Sequence, residues 1–198
     1  MLKLLKKVAV TGGPGCGKSA ACRLFEQQGA YVVDADEVAH GLLSPDAPSG
    51  KRVIQLLGPS IVHDGIIDRK IVADRVFRDA EALQALETII HPAVQETIAT
   101  IYKAATALSL YPLFVVEVPL LFEAGWDKDF DVTIAVVADE NVCRARFGVE
   151  QYDLRMRRQM PPLEKAKRAQ YRLDNNKTLA ELKEQVISLM KQLGETSS

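Results

Sequence analysis

Short apolar runs alternate with helical periodicity along most of this chain. Residues 8–11, 31–34, 113–118 and 132–137 are continuous, largely β-branched runs of strand length, and 171–173 is a weaker fifth. Runs without polar alternation suit strands buried on both faces, as in a parallel sheet. Between them, apolar side chains recur at helical spacing. They are Ala20, Ala21, Leu24 and Phe25 in 19–28, then Val94, Ile98, Ile101, Tyr102 and Ala105 in 93–108. Leu182, Val186, Leu189 and Leu193 repeat the pattern in 179–193. Each set forms one stripe of an amphipathic helix. The alternation predicts an α/β fold: a parallel sheet of about five strands with helices on both faces.

Two stretches interrupt the pattern. Residues 36–91 carry no strand signature and read as short helices broken at Ser44-Pro45, Gly58-Pro59 and Asp64-Gly65. Residues 141–168 are polar and rich in arginine (Arg144, Arg146, Arg155, Arg157, Arg158, Arg168), with Pro161-Pro162 before another helix. By composition alone this second stretch is a solvated, salt-bridged helical pair. Beside a nucleotide site it reads as an arginine lid. The expected organisation is one domain. Its core comprises 1–35, 111–140 and 169–198, a helical substrate subdomain spans 36–110, and the lid spans 141–168. A frayed tail is expected at 194–198.

The chemistry begins at Gly12-Gly13-Pro14-Gly15-Cys16-Gly17-Lys18-Ser19, which fits the phosphate-loop pattern G-x-x-x-x-G-K-[ST]. The loop lies between a predicted strand and a predicted helix, as the pattern requires, and this context disfavours an accidental glycine-rich turn. Glycines let backbone N–H groups converge into an anion nest, and the helix N-terminus adds its positive end. Gly13, Pro14, Gly15, Cys16, Gly17, Lys18, Ser19 and Ala20 are therefore expected to contact the nucleotide. Lys18 would reach the β- and γ-phosphates, and the Ser19 hydroxyl would ligate Mg²⁺. Cys16 lies in the positive field of the loop, where a thiol can become reactive. A small filler that contributes only its N–H is the preferred reading.

What is missing narrows the class. Asn176-Lys177 is followed by Thr178-Leu179, so the guanine-reading N-K-x-D is absent, as is a D-x-x-G switch. A small-molecule kinase remains, with the helical insertion holding the acceptor. The 198 residues carry 25 basic and 26 acidic side chains, net −1, which argues against nucleic-acid binding through bulk charge. No apolar run reaches the roughly 18 residues of a membrane span. The leading Met1–Lys7 is not expected to be a signal peptide, because its apolar continuation runs at once into glycines. Cys16, Cys22 and Cys143 have no metal-type spacing and read as reduced thiols. The expectation is a cytoplasmic protein with no nucleic-acid, membrane or obligate protein partner.

The motifs, in order, resemble the dephospho-coenzyme A kinase family over nearly the whole chain. The phosphate loop carries Pro14 where the family usually has Ile. Val33-Asp34-Ala35-Asp36 follows, then His40, Asp64-Gly65 with Asp68-Arg69, Val76-Phe77 and Ile90-His91-Pro92. Pro119-Leu120-Leu121-Phe122-Glu123 follows the third core strand, and Asp174-Asn175-Asn176 closes the series. The resemblance implies a nucleotide-monophosphate-kinase-like core and ATP-dependent phosphorylation of the ribose 3′-hydroxyl of dephospho-coenzyme A. It also implies an acceptor side made by Asp36, His40, Arg69, His91, Leu120 and Glu123, with Asn175 on the nucleotide side. The lid departs from the family, being several residues shorter between Glu140 and Gln159. Alternative readings are a kinase of another acceptor on the same scaffold, or a nucleotide-binding regulator without turnover.

Asp36 would lie just past the carboxyl end of a core strand, where open α/β sheets place ligands. A carboxylate there can accept the hydroxyl proton as the bond to phosphorus forms, so Asp36 is the expected base. Asp34 is expected to help orient Mg²⁺. The competing role for this pair is the N-cap of a helix over 37–43. Arg69 would pair with a pyrophosphate or stand exposed at a helix start. His91 would face the acceptor or cap a helix with Pro92 at its first position. Glu123 would hold the substrate subdomain or a metal-bound water, or stand as an exposed loop carboxylate. Glu117 is not expected to act as a metal-site acid. Arg144 or Arg146 would take the lid role, with Arg144 chosen, alongside Lys18 and Asp36, as catalytic.

Overall fold

A computed structural model describes residues 5–77 and 79–195, without the side chains of residues 77 and 195. Contacts divide the chain into two units, residues up to 34 with those from 102 onward, and residues 35–101. The division falls inside a long helix rather than at residue 110, because Tyr102 belongs with the sheet. Its hydroxyl donates to the Leu5 carbonyl at 2.6 Å, and its ring packs edge-on to Phe114.

The first unit is built on a five-stranded parallel sheet: β1 (Lys6–Gly12), β2 (Tyr31–Asp34), β5 (Leu113–Glu117), β6 (Val132–Val137) and β7 (Tyr171–Asp174), in the order β2-β5-β1-β6-β7. Every residue of β5 and β6 is buried, which is why these strands read as unbroken apolar runs. Alternate side chains serve opposite faces. Leu113 and Val115 join a core with Phe25 of α1 (Lys18–Gln27) and Leu182, Val186 and Leu193 of α9 (Leu179–Glu195). Phe114 points the other way, against Tyr31 and Tyr102. The last helix continues through Glu195, so 194–195 are not a frayed tail; residues 196–198 lie outside the described residues.

The lid stretch forms three short helices: α6 (Glu140–Phe147), α7 (Val149–Met156) and α8 (Pro162–Arg168). Gly148, at φ 91, separates the first two, and Pro162 takes the first position of the third.

In the second unit, α2 (Ala35–Leu42), α3 (Pro48–Leu57) and α4 (Arg69–Phe77) precede the first part of α5 (Ala80–Leu108), around a core of Val53, Ile61, Ile67, Val72 and Ile89. The unit contains a strand pair that the sequence pattern does not predict. Val62–His63 (β3) and Ile66–Ile67 (β4) form a minimal hairpin across Asp64-Gly65, both at positive φ. Asp-Gly is a hairpin signal as well as a helix breaker. Nor does a helix begin at Pro92, which lies inside α5. The helix starts at Ala80, where the Asp79 side chain accepts the Glu81 and Ala82 N–H groups at 2.9 and 3.0 Å. His91 therefore lies within the helix, not at its N-terminus. A proline costs the ladder one bond, and the strong helix formers of 80–87 carry the helix through it.

Candidate active site

Gly12 ends β1, the central strand, and the chain turns at once into the phosphate loop. Gly17, at φ 94, caps α1 without a side chain, so the first N–H groups of that helix are left for an anion. Close packing demands two of the glycines. A Cβ on Gly17 would lie 2.1 Å from the Asn175 side-chain nitrogen, and one on Gly15, at φ 71, would lie 2.3 Å from the Cys143 carbonyl oxygen. Asn175 Nδ2 donates to the Cys16 carbonyl at 2.9 Å, and its own N–H donates to the Val137 carbonyl at 2.8 Å. The loop is thus shaped from outside by the end of β7 and by α6.

Lys18 Nζ donates to the Gly13 carbonyl at 3.1 Å, folding back over the loop. Ser19 Oγ donates to Glu117 Oε1 at 3.0 Å. Glu117 is buried at the end of β5, in register with Asp34 at the end of β2. Glu117, which the sequence reading did not select, thus lies beside the Ser19 hydroxyl. A charged residue closing an apolar strand was the available signal. Burial pushes the nearby Cys22 thiol well above its ordinary range, and the Glu117 and Asp34 carboxylates push it further. Ser19, Glu117 and Asp34 offer oxygen donors only, a set that fits Mg²⁺.

Cys16 is buried, with its Sγ 3.3 Å from Cys143 Sγ of α6. Burial, followed by the Cys16 contact, pushes the Cys143 thiol up to about 12.

The lid arginines separate. Arg144 Nε meets Glu140 at 2.7 Å, and its terminal nitrogens grip both Asp153 oxygens at 2.6 and 3.1 Å. It ties α6 to α7 and is engaged within the lid stretch itself. Arg146 instead donates to the Asn175 carbonyl at 3.1 Å, beside the residue that holds the loop. Glu123 pairs with Lys165 Nζ at 2.9 Å and accepts the Met160 N–H at 2.7 Å, so its carboxylate fastens α8 and the chain before it. Leu120 is half-buried in the same segment.

The remaining acceptor-side residues belong to the second unit. Asp36 is exposed in the first turn of α2, which starts directly after β2, so it is not a cap before a later helix. His40 is in the last turn of α2. Arg69 is the exposed first residue of α4, whose N–H groups at Lys70 and Ile71 are capped by Asp68 at 2.8 and 3.3 Å. His91 is half-buried inside α5. A groove of about 380 Å³ in this unit is lined by Leu42, Pro48, Ser49, Ala93, Thr97 and Ile101 among others, and by none of these four residues.

A family model described as dephospho-CoA kinase matches residues 6–181. A dephospho-CoA kinase from Protochlamydia amoebophila is 44% identical over 98% of each chain, and one from Chlamydia abortus is 43% identical over 94% of this chain and 95% of its own. The crystal structure of TT1252 from Thermus thermophilus superposes with a TM-score of 0.81 at 32% identity, covering 96% of this chain and 99% of that one. A dephospho-CoA kinase from Campylobacter jejuni shares the fold, with a TM-score of 0.73 at 23% identity over 97% and 98% of the two chains.

Proposed function

The chain belongs to the dephospho-CoA kinase family, and from that membership we propose how its residues divide the reaction. The reaction is transfer of the γ-phosphoryl group of ATP to the ribose 3′-hydroxyl of dephospho-CoA, the last step of coenzyme A synthesis. The observation that carries the reading is the phosphate loop, held in its nest by Asn175 and followed by Lys18 and Ser19 at the start of α1.

The backbone N–H groups of 13–19 bind the phosphates, and Lys18 balances the charge that spreads over the transferring group. Ser19, backed by Glu117 and Asp34, would hold Mg²⁺, which when bound neutralises charge on the β- and γ-phosphates. Asp36 follows the end of β2 by two residues and accepts the 3′-hydroxyl proton. Arg146 is the lid arginine that meets the phosphates. His40, Arg69 and His91 recognise the acceptor. Among the described residues no helix is long and apolar enough to cross a membrane.

A coupled assay with ATP and a panel of acceptors tests the reading. Phosphorylation of dephospho-CoA at its 3′ position is expected. Transfer confined to another acceptor, or ATP binding without transfer to any, would refute it.

A further inference from the structure

Lys165 of α8 is 0% exposed. An ammonium taken out of water is costly unless its N–H groups find good acceptors. Lys165 Nζ donates to the Pro119 carbonyl at 2.5 Å and to Glu123 Oε1 at 2.9 Å. The Thr11 hydroxyl, next to the end of β1, shares the Pro119 carbonyl at 3.3 Å. Two further contacts bind the same helix to the same surroundings. A Cβ on Gly13 of the phosphate loop would lie 2.6 Å from the Pro162 ring, and the Arg168 guanidinium lies 4.5 Å from the Phe122 ring centre. Helix α8 therefore bears on both the phosphate loop and the 119–123 segment, with the lysine at the junction.

Stability alone does not account for a charge here. A buried ion pair is often matched or bettered when both partners are replaced by uncharged side chains of similar volume, and methionine at 165 with glutamine at 123 would fill this space. What methionine would lack is a donor to Pro119 and a positive charge close to Lys18. We propose that Lys165 is a positioning residue of the phosphate site. Its grip on Pro119 fixes the chain two residues beyond Glu117, and so the carboxylate that takes the Ser19 hydroxyl, while its charge adds positive potential beneath the loop. The inference rests on the phosphoryl-transfer reading, but ATP binding measures it without the acceptor.

The charged and titratable groups facing Lys165 are Glu123 from the 119–123 segment, Lys18 from α1 and Cys16 from the loop. Burial lowers the lysine below its ordinary range, and the Glu123 carboxylate works against that shift. Removing the carboxylate must therefore bring loss of the ammonium to lower pH.

The test uses the full chain with Lys165→Met, Glu123→Gln and the double variant. Calorimetric ATP titrations from about pH 7 to 10 are combined with thermal melts and steady-state kinetics. The double variant, which removes both partners, is expected to melt near the parent, and Lys165→Met alone below it because the Glu123 carboxylate is left unpaired; both are expected to bind ATP about tenfold more weakly near pH 7.5 and to turn over more slowly. The alkaline decline in ATP affinity is expected to begin at lower pH in Glu123→Gln than in the parent, and to coincide in Lys165→Met and the double variant. ATP affinity within twofold of the parent in Lys165→Met would overturn the proposal. So would an affinity loss in the double variant that comes only with a large fall in its melting temperature, or an alkaline decline that Glu123→Gln does not move. A parent protein that binds ATP but leaves dephospho-CoA unmodified would instead refute the reaction, and the ATP titrations would still decide the role of Lys165.

Discussion

Replacing Gly17 by alanine tests whether the phosphate loop is shaped by its surroundings. The residue sits at φ 94, where an L side chain costs about 1–2 kcal/mol. The new Cβ would lie 2.1 Å from Asn175 Nδ2, far inside contact distance, so the amide must leave. Its 2.9 Å bond to the Cys16 carbonyl is then lost, which costs about 1–3 kcal/mol for a buried group left unpaired. The two effects sum to roughly 2–5 kcal/mol before relaxation. For a chain of this size each kcal/mol lowers the melting temperature by about 2–4 °C. A fall of about 10 °C is expected, with at least roughly tenfold weaker ATP binding because the displaced strand is the nest itself.

A double-mutant cycle isolates the clash. With Asn175→Ala in place the amide is already absent, and Gly17→Ala should then cost only the backbone contribution, about 1–2 kcal/mol. The two substitutions should therefore be less than additive by about 1–3 kcal/mol, measured by thermal unfolding and ATP titration. Additivity within about 0.5 kcal/mol, or a Gly17→Ala protein that melts and binds ATP like the parent, would refute the reasoning.

Lys18→Ala should lower turnover by orders of magnitude, and Asp36→Asn by about 10²-fold with little change in ATP affinity; equal loss of ATP binding in Asp36→Asn would point to a metal or structural role. Arg146→Ala should reduce turnover more than it raises the ATP Michaelis constant, whereas Arg144→Ala should chiefly lower the melting temperature; the reverse pattern in steady-state kinetics and melts would return the lid role to Arg144. The folded chain holds the Cys143 thiol at about 12 against 9.0 for an ordinary thiol. The unfolded chain therefore releases its proton first, and this group's contribution to stability, full below about pH 9, drains away as pH rises toward 12. Cys143→Ala should flatten that alkaline fall in melting temperature, and an unchanged slope would contradict the assignment.

The strands were legible because they are buried on both faces, so their composition is set by the core and by little else. The phosphate loop was legible because its chemistry is local: a nest, a lysine and a hydroxyl in one short stretch of chain. Residues whose role depends on distant partners were not. Glu117 looked like a misplaced charge because its partner, Ser19, is 98 positions away. Lys165 looked like one more lysine on a polar helix, since nothing in 162–168 announces that this face meets Pro119 and Glu123. The hairpin at 62–67 escapes the pattern for a different reason: Asp-Gly stops a helix and turns a hairpin equally well, and two-residue strands leave no period to read.

Arg144 and Arg146 show where sequence reasoning had an unused handle. Two residues apart on one helix, they point in different directions, about 200° around the axis. Glu140 stands four residues before Arg144, a spacing that favours an ion pair along a helix. Arg146 has Val142 at that spacing and so no acidic neighbour there to claim it. An arginine already paired within its own lid must give up that pairing to meet a phosphate. One that donates to a backbone carbonyl gives up less, because a triphosphate oxygen is the stronger acceptor. The Asn175 carbonyl that receives Arg146 belongs to the residue whose amide fixes Cys16. The arginine is therefore held next to the loop by a contact weak enough to exchange for a phosphate, and that position, rather than the count of arginines in the lid, is the ground on which we propose Arg146 for the transferring phosphate.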